Sequence, residues 1–380
     1  MAHDLRAIAG RFVMAGRFQE GRPYGEGHIN DTYLLTYRTS DGPAQTILQR
    51  INHQVFRNPA QLMDNLLRVT AHQRQRLQAE GCPDLSRRVL SVIPSQDGAS
   101  TYQDPDGNFW RAFVFIPDTV TVQVPQSLDQ IYQASRAFGR FGSLLSDLPG
   151  PPLYETIPDF HNGGKRYRAF EKALATDPCH RAALASEEIT FLQEHADILE
   201  TPARMASEGR ILLRVTHNDT KVNNVLLDRA TGEGLCVIDL DTVMPGLVLY
   251  DVGDIVRTAA SIAAEDEPDL SRVDLGLDRF EAIISGFLDG ASGSLHQSEI
   301  EHLVLGGQFM TLIMGTRFLT DFLQGDTYYK VHRPNHNLDR CRVQLRLVQT
   351  MLDQQDRMCK VVRRVAGTSK NAPERDRRKP

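Results

Sequence analysis

The spacing of apolar residues changes along this chain, from short strand-like runs before Pro117 to helical periods after it. Ile29 to Arg38, rich in Thr, Tyr and Leu, reads as a strand. It follows a Gly-rich turn, Tyr24-Gly25-Glu26-Gly27-His28, which has another strand-like run before it. Asp41-Gly42-Pro43 turns the chain into a third candidate, Thr46 to Ile51. Asn58-Pro59 joins an N-cap residue to a proline at the first helical position, and Leu62, Leu66, Val69 and Leu77 fall near helical spacing. A helix is therefore predicted to about Glu80, with Gly81 as its stop. Val89 to Pro94 and Phe109 to Ile116 are predicted strands, separated by the turn Asp104 to Asn108.

Beyond Pro117 helices dominate. Ser127 to Leu148 carries Ile131, Ala134, Phe138, Phe141, Leu144 and Leu145 on one side, and Pro149 to Pro152 end it. Tyr167 to Ala175 and Arg181 to Leu199 are predicted next, and helices return from Leu277 to about Val362. Between them, Val225 to Leu227 and Leu235 to Ile238 are apolar strands joined by a turn around Thr231 to Gly234. The most apolar stretch, Leu303 to Leu319, is interrupted by Gly306, Gly307, Gln308, Thr311 and Arg317, so a buried core helix is expected there rather than a bilayer span. The basic end, Gly367 to Pro380, has almost no apolar residues and is expected to be a disordered tail.

Composition narrows the function classes. The chain has 380 residues, 41% hydrophobic and 24% charged, the mix of an ordinary globular protein. Its net charge of −5 forces no broad basic face, which argues against a nucleic-acid partner. The five cysteines are scattered and form no CxxC pair, so neither a disulfide framework nor a zinc site is indicated. Met1 to Gly16 lacks the apolar core of a signal peptide. A cytoplasmic protein without membrane attachment is expected.

The chemistry is concentrated in His217-Asn218-Asp219-Thr220-Lys221-Val222-Asn223-Asn224 and in Asp239. Phosphoryl transfer from a nucleotide needs a carboxylate for the acceptor hydroxyl, oxygen ligands for magnesium and a cradle for the phosphates. An Asp preceded two residues earlier by His and followed five residues later by Asn has the spacing of a kinase catalytic loop. Asp219 then serves as base and Asn224 as a magnesium ligand, while Lys221 can reach the transferring group. An antiparallel hairpin brings the start of its first strand beside the end of its second, so Asn224 and Asp239 are expected to meet. His-x-Asp alone is common in ordinary loops. Its conjunction with Asn224, a hairpin and Asp239 is not.

HNDTKVNN followed by VIDLDTVMPGLVLYDVGD resembles the aminoglycoside phosphotransferase and choline kinase superfamily, and within it most closely the N-acetylhexosamine 1-kinases. YGEGHINDTYLL, FWRAFVFIPDT and GTRFLTDFLQGDTYYK extend the resemblance over roughly residues 15 to 345. It implies an α+β, two-lobed protein-kinase-like fold, with a small antiparallel β-sheet lobe and a larger, mostly helical lobe. The expected divisions are a nucleotide-binding lobe over 1–116, a catalytic and acceptor-binding lobe over 117–365, and a tail over 366–380. It further implies ATP, Mg²⁺ and a small-molecule acceptor, an amino sugar phosphorylated at its anomeric hydroxyl. Asp219 corresponds to the catalytic base, Asn224 and Asp239 to the metal ligands, and His28 and Arg317 to positions facing the sugar.

Several assignments stay open on the residues alone. Gly25 and Gly27 could cover nucleotide phosphates with backbone N–H groups, or form a plain hairpin turn. The strand that carries the phosphate-binding lysine in protein kinases offers Leu48-Gln49-Arg50-Ile51 here, with Asp64 as the acidic partner in the next helix. Arg50 is the expected phosphate ligand, although strand parity decides between it and Gln49. Asp241 is either a further carboxylate of the metal site or a hairpin-exit polar group. Asp251 and Asp254 resemble a family segment that braces the catalytic loop and opens a helix, and of those roles an N-cap is the expected one. Arg317 pairs either with substrate or with Asp321 four residues on. Trp110 and Phe113 are core or adenine-pocket residues. The acceptor's identity, the choice between ATP and GTP and the oligomeric state are not readable at this level.

Overall fold

The structure, a computed structural model, describes residues 3–25 and 29–371. The elements that build the first lobe are Leu5–Ala9 (α1), Arg17–Pro23 (β1), Asp31–Thr39 (β2), Gly42–Ile51 (β3), Pro59–Ala79 (α2), Leu85–Arg88 (α3), Val92–Ile93 (β4), Tyr102–Gln103 (β5) and Phe109–Val114 (β6). The strands form one antiparallel sheet in the order β1-β2-β3-β6-β4, with β5 on β6. Helix α2 starts as its sequence dictates: Asn58 caps it by accepting from the Gln61 N–H at 3.2 Å, and Gly81 leaves it at φ +68°.

The second lobe comprises Thr119–Val120 (β7), Leu128–Leu144 (α4), Gly163–Thr176 (α5), Ser186–Glu194 (α6), Ala196–Ser207 (α7), Arg214–Thr216 (β8), Val225–Asp228 (β9), Gly234–Val237 (β10), Met244–Gly246 (β11) and Val248–Ala259 (α8). It closes with Leu277–Ala291 (α9), Gln297–Glu301 (α10), Leu303–Leu323 (α11), His336–Asp353 (α12) and Gln355–Asn371 (α13). The result is the expected pairing of an antiparallel sheet lobe with a mostly helical one. Differences from the sequence reading are local. The stretch Arg181 to Leu199 is not one helix but a 3₁₀ turn, Ala182–Ala185, followed by α6 and the first part of α7. Strand β4 keeps two residues of the predicted six, and α13 continues to Asn371, past the expected start of the tail.

One core runs through both lobes. Ile51 and Phe113 of the sheet pack into the same cluster as Leu62, Leu66 and Val69 of α2 and the buried residues of α4, α8 and α9. The six apolar residues predicted to share one side of α4 are all buried. Helix α4 lies against α9 at unusually short range. A Cβ at Gly139 would fall 2.1 Å from the Phe287 carbonyl oxygen, and one at Gly290 would fall 2.1 Å from that of Arg136. Only hydrogen fits at these positions, so the two backbones touch and fix the helix that underlies the loop of residues 217–224.

Helix α11 is long and apolar enough to cross a membrane, but 78% of its apolar window is buried inside the protein. The small residues Gly306 and Gly307 let α8 approach it closely. All five cysteines are free thiols, two of them buried.

Candidate active site

His217 begins the loop where β8 leaves its short pairing with β11. Its ring is fully buried against the edges of Phe138 and Phe141 of α4, at centroid distances of 5.3 and 5.7 Å. Nε2 lies 2.9 Å from the Ile238 carbonyl oxygen and Nδ1 lies 3.3 Å from the Asp219 N–H. Asn218 takes the left-handed conformation at φ +65°, and its side chain donates to the Thr216 and Thr242 carbonyls.

The turn is held from below by Asp251 of α8, whose carboxylate accepts the backbone N–H of His217 at 3.0 Å and of Asn218 at 2.7 Å. Thr220 adds a hydroxyl bond to the Asp251 carbonyl at 2.6 Å. Burial pushes the Asp251 carboxyl up to about 6, against the opposing pull of His217 and the two N–H groups. The expected N-cap role is not what the structure shows. The cap position of α8 is Leu247, and Asp251 spends its oxygens on the loop 33 and 34 residues upstream.

Asp219 emerges from this scaffold with both oxygens engaged. Lys221 Nζ lies 2.8 Å from Oδ1, and Asn224 Nδ2 donates to Oδ2 at 3.1 Å and to the Asp219 carbonyl at 2.8 Å. Burial works against the charge of Asp219, but the Lys221 ammonium, with His217 and Arg257, holds its carboxyl below the ordinary value. Lys221 is raised in turn, first by Asp219. Behind them, buried Arg257 clamps Asp254 at 2.9 Å and Glu265 at 3.1 Å.

The hairpin delivers the predicted meeting of its ends. Val225 pairs with Val237, and the Ile238 N–H donates to the Asn224 carbonyl at 2.9 Å. Asp239 follows directly, in the left-handed region at φ +59° and open to the cleft. Its carboxyl is pushed up to about 7 by the surrounding protein and by the like charges of Asp241 and Asp219. Asn224 Oδ1 accepts no hydrogen bond among the described residues. One carboxamide oxygen and one crowded carboxylate suit a hard divalent cation that takes its remaining ligands from phosphate and water. No cluster of three or more His, Cys, Asp or Glu that would make an all-protein cage is found among the described residues.

Asp241 is not free for such a role. Its oxygens take Arg111 Nη1 at 2.5 Å and Nη2 at 2.9 Å, and Asn30 Nδ2 donates to Oδ2 at 2.7 Å. Both charged side chains are 2% exposed. This pair ties strand β6 and the end of the β1–β2 loop to the exit of the hairpin.

Strand parity answers the question left at Gln49 and Arg50, and it overturns the expectation for Arg50. Gln49 stands opposite Thr32 and Arg111 on the cleft face, donating to Thr32 at 3.0 Å and accepting from Arg111 Nε at 3.0 Å. Arg50 stands opposite Asp31 and Trp110 on the other face, ion-paired with Asp31 at 2.5 Å and bonded to Asn108 at 3.2 Å. Successive residues of a strand point to opposite faces, so Arg50 cannot reach the cleft. Asp64 is likewise not its helical partner; it is exposed and lies 3.9 Å from Arg68, while neighbouring Asn65 is buried and bonds to the Tyr154 and Val243 carbonyls. Trp110 and Phe113 are core residues.

Gly25 has φ +77°, and a methyl placed on its Cα would meet no described atom within 4 Å, as befits a turn glycine. Gly27 and His28 lie outside the described residues. Arg317, half-buried on α11, makes no pair with Asp321. That carboxylate instead accepts the backbone N–H groups of Thr327, Tyr328 and Tyr329. Arg317 stacks over Tyr328 and Tyr329 at 5.8 and 5.5 Å. His161, which the sequence reading passed over, sits beneath the loop with Nε2 2.9 Å from the Asn218 carbonyl. Burial, foremost, lowers its pKa to about 4.

The sequence model of the phosphotransferase enzyme family matches residues 20–281. An aminoglycoside phosphotransferase from Alicyclobacillus acidocaldarius superposes with a TM-score of 0.55 at 12% identity, over 98% of both chains. A choline/ethanolamine kinase family protein from Mesorhizobium loti gives 0.53 at 14% identity, over 94% of this chain and 98% of the other. Choline kinase from Cryptosporidium parvum gives 0.51 at 14%, over 91% and 92%. At these identities the likeness speaks for a shared fold.

Proposed function

The chain belongs to the phosphotransferase enzyme family, and from that footing we propose that it moves the terminal phosphoryl group of ATP onto the anomeric hydroxyl of an N-acetylhexosamine. Residues 1–116 would then carry the nucleotide, and 117–365 the catalytic hairpin and the acceptor. The observation that carries the chemistry is the unit Lys221–Asp219–Asn224 held opposite Asp239 by one hairpin.

Asp219 is ionised at neutral pH, and its two oxygens are fixed by Lys221 and Asn224. It therefore orients the acceptor hydroxyl in line and takes the proton as the bond to phosphorus forms. In a loose phosphoryl-transfer transition state that proton moves late, so orientation matters more than basicity. Lys221 stays protonated and is 44% exposed on its side chain, so it can face the transferring oxygens as well as Asp219. Asn224 and Asp239 would hold Mg²⁺, which supplies charge neutralisation at the phosphates when bound. On the same face of the sheet Gln49 and Thr32 are partly exposed and would face the nucleotide, with Arg111 buried behind them in its pair with Asp241.

The sugar assignment draws its support from the resemblance to the hexosamine kinases at Arg317 and His28. A quaternary ammonium acceptor such as choline calls for open aromatic faces. Here the faces of Tyr328 and Tyr329 carry the Arg317 guanidinium.

ADP release should be measured over GlcNAc, GalNAc, choline, homoserine and an aminoglycoside, with Asp219→Asn as control. A Mg²⁺-dependent signal is expected with the hexosamines. If they give nothing above the control, the sugar reading falls. If no acceptor does, the phosphotransfer reading of this site falls with it.

A further inference from the structure

We propose a second small-molecule site, away from the cleft, for a neutral ligand that has an apolar body and an amide-like edge, a hydrogen-bond donor beside an acceptor. The site is a cavity of about 290 Å³ between the C-terminal half of α2, α4, β10 and the end of α9. That volume is at the small end for a ligand pocket and suits a molecule of about one or two rings. None of Asp219, Asn224 and Asp239 lines it, so it is not part of the phosphoryl-transfer site. Phe141 lines it and also packs against His217, and Val237 lines it two residues before Asp239. An occupant therefore lies directly behind the loop and the hairpin.

The edge is read from Gln73 of α2. This residue is 7% exposed, yet its carboxamide bonds to no described residue. It lines the cavity, and neither of its polar atoms is sealed within the protein. A polar group held inside a protein without partners is costly, and this one is turned to a cavity whose occupant can supply them. Gln133 of α4, whose carboxamide oxygen also lacks a partner among the described residues, lines the same cavity. A primary carboxamide presents an N–H donor and a carbonyl acceptor side by side, so a ligand edge with the complementary pair meets both at once. The walls define the rest of the ligand. Three arginines and three carboxylates line the cavity. Arg88 binds Glu233 at 3.0 Å, Arg140 binds Glu80, and Asp289 takes the Tyr132 hydroxyl; with Arg136 the charges sum to zero and select no ion of either sign. Leu77, Phe141, Leu144 and Val237 supply apolar surface for the body of the ligand.

Benzamide serves as the probe, with methyl benzoate (an acceptor only) and benzoate (a charged edge) as controls. Each is titrated into the full chain with saturating ADP and Mg²⁺, so that the cleft is occupied, and ligand-observed NMR reads the affinity. Benzamide should bind saturably, and about tenfold or more tightly than either control. Gln73→Leu, which removes the edge, and Gln73→Glu, which keeps its shape but not its donors, should each weaken benzamide by about the same factor. Gln73→Leu should melt no lower than the wild type, because it breaks no bond within the protein. Absence of saturable benzamide binding up to its solubility, equal binding of the two controls, or an affinity unchanged in both variants would overturn the proposal.

Discussion

Replacing Arg111 by methionine keeps most of the side-chain volume and removes the cation that Asp241 depends on. Asp241 would stay buried with Asn30 as its remaining side-chain donor, having lost contacts at 2.5 and 2.9 Å. Breaking one side of a pair this deeply buried costs about 3–5 kcal/mol, chiefly because a charge is left unpaired in protein rather than because the pair itself is strongly favourable. With a urea slope of roughly 3 kcal/mol per molar, the unfolding midpoint should fall by about 1–1.7 M. The companion variant Arg111→Met/Asp241→Leu removes both charges and should regain most of that loss. Turnover should not return with it, because the tie between sheet and hairpin is gone in both proteins. Urea melts of the three chains, with ADP release measured alongside, decide the matter. A single variant that loses less than about 1 kcal/mol, or a double variant no more stable than the single, would refute the reasoning.

Asp219→Asn should lower kcat by about 10²-fold or more while nucleotide affinity, read by calorimetry, stays within a few-fold. Lys221→Met should release the Asp219 carboxyl from the ammonium that holds it low, so the acid limb of the kcat profile should move to higher pH. His161 is depressed to about 4 by burial and so contributes stability that is present above its unfolded pKa near 6.5 and lost as pH falls towards 4. Over that window the wild type should lose about 3 kcal/mol more than His161→Gln, which keeps a donor to Asn218 but cannot titrate; urea midpoints at a series of pH values will show it. Gly290→Ala forces a methyl into the Arg136 carbonyl across the α4–α9 contact. It should cost at least about 1–3 kcal/mol in a denaturant melt.

The hairpin that unites Asn224 with Asp239 was readable because its two apolar strands and its turn are contiguous in sequence. Helix α2 was equally plain, since cap, proline, period and stop all agree. Arg50 was not. Strand β3 is covered on one side by α1 and on the other by the cleft, so its inner half loses the alternation that reveals which face is which. Arg111 was hidden for a related reason. It lies inside the apolar run Phe109 to Val114, and the carboxylate that justifies its burial is 130 residues away. Asp64 and Asn65 differ by a single step of helical phase, which periodicity over one face does not resolve. Asp251 looked like a cap because it lies near a helix start, whereas its partners come from a loop that only the β8–β11 pairing brings beneath it.

The loop and hairpin have a consequence for the order in which the site forms. His217 meets Ile238 across 21 residues, and Asn224 meets Asp219 across five, whereas Asn30 meets Asp241 across 211. Closing a loop ten times longer costs about 2 kcal/mol more in chain entropy. Asp219, Asn224 and Asp239 can thus assemble as one short-range unit before the sheet lobe arrives. In a refolding experiment read by pulsed hydrogen exchange, the amides of His217, Asn218 and Ile238 should gain protection ahead of that of Tyr154, which donates to Asn65 across 89 residues.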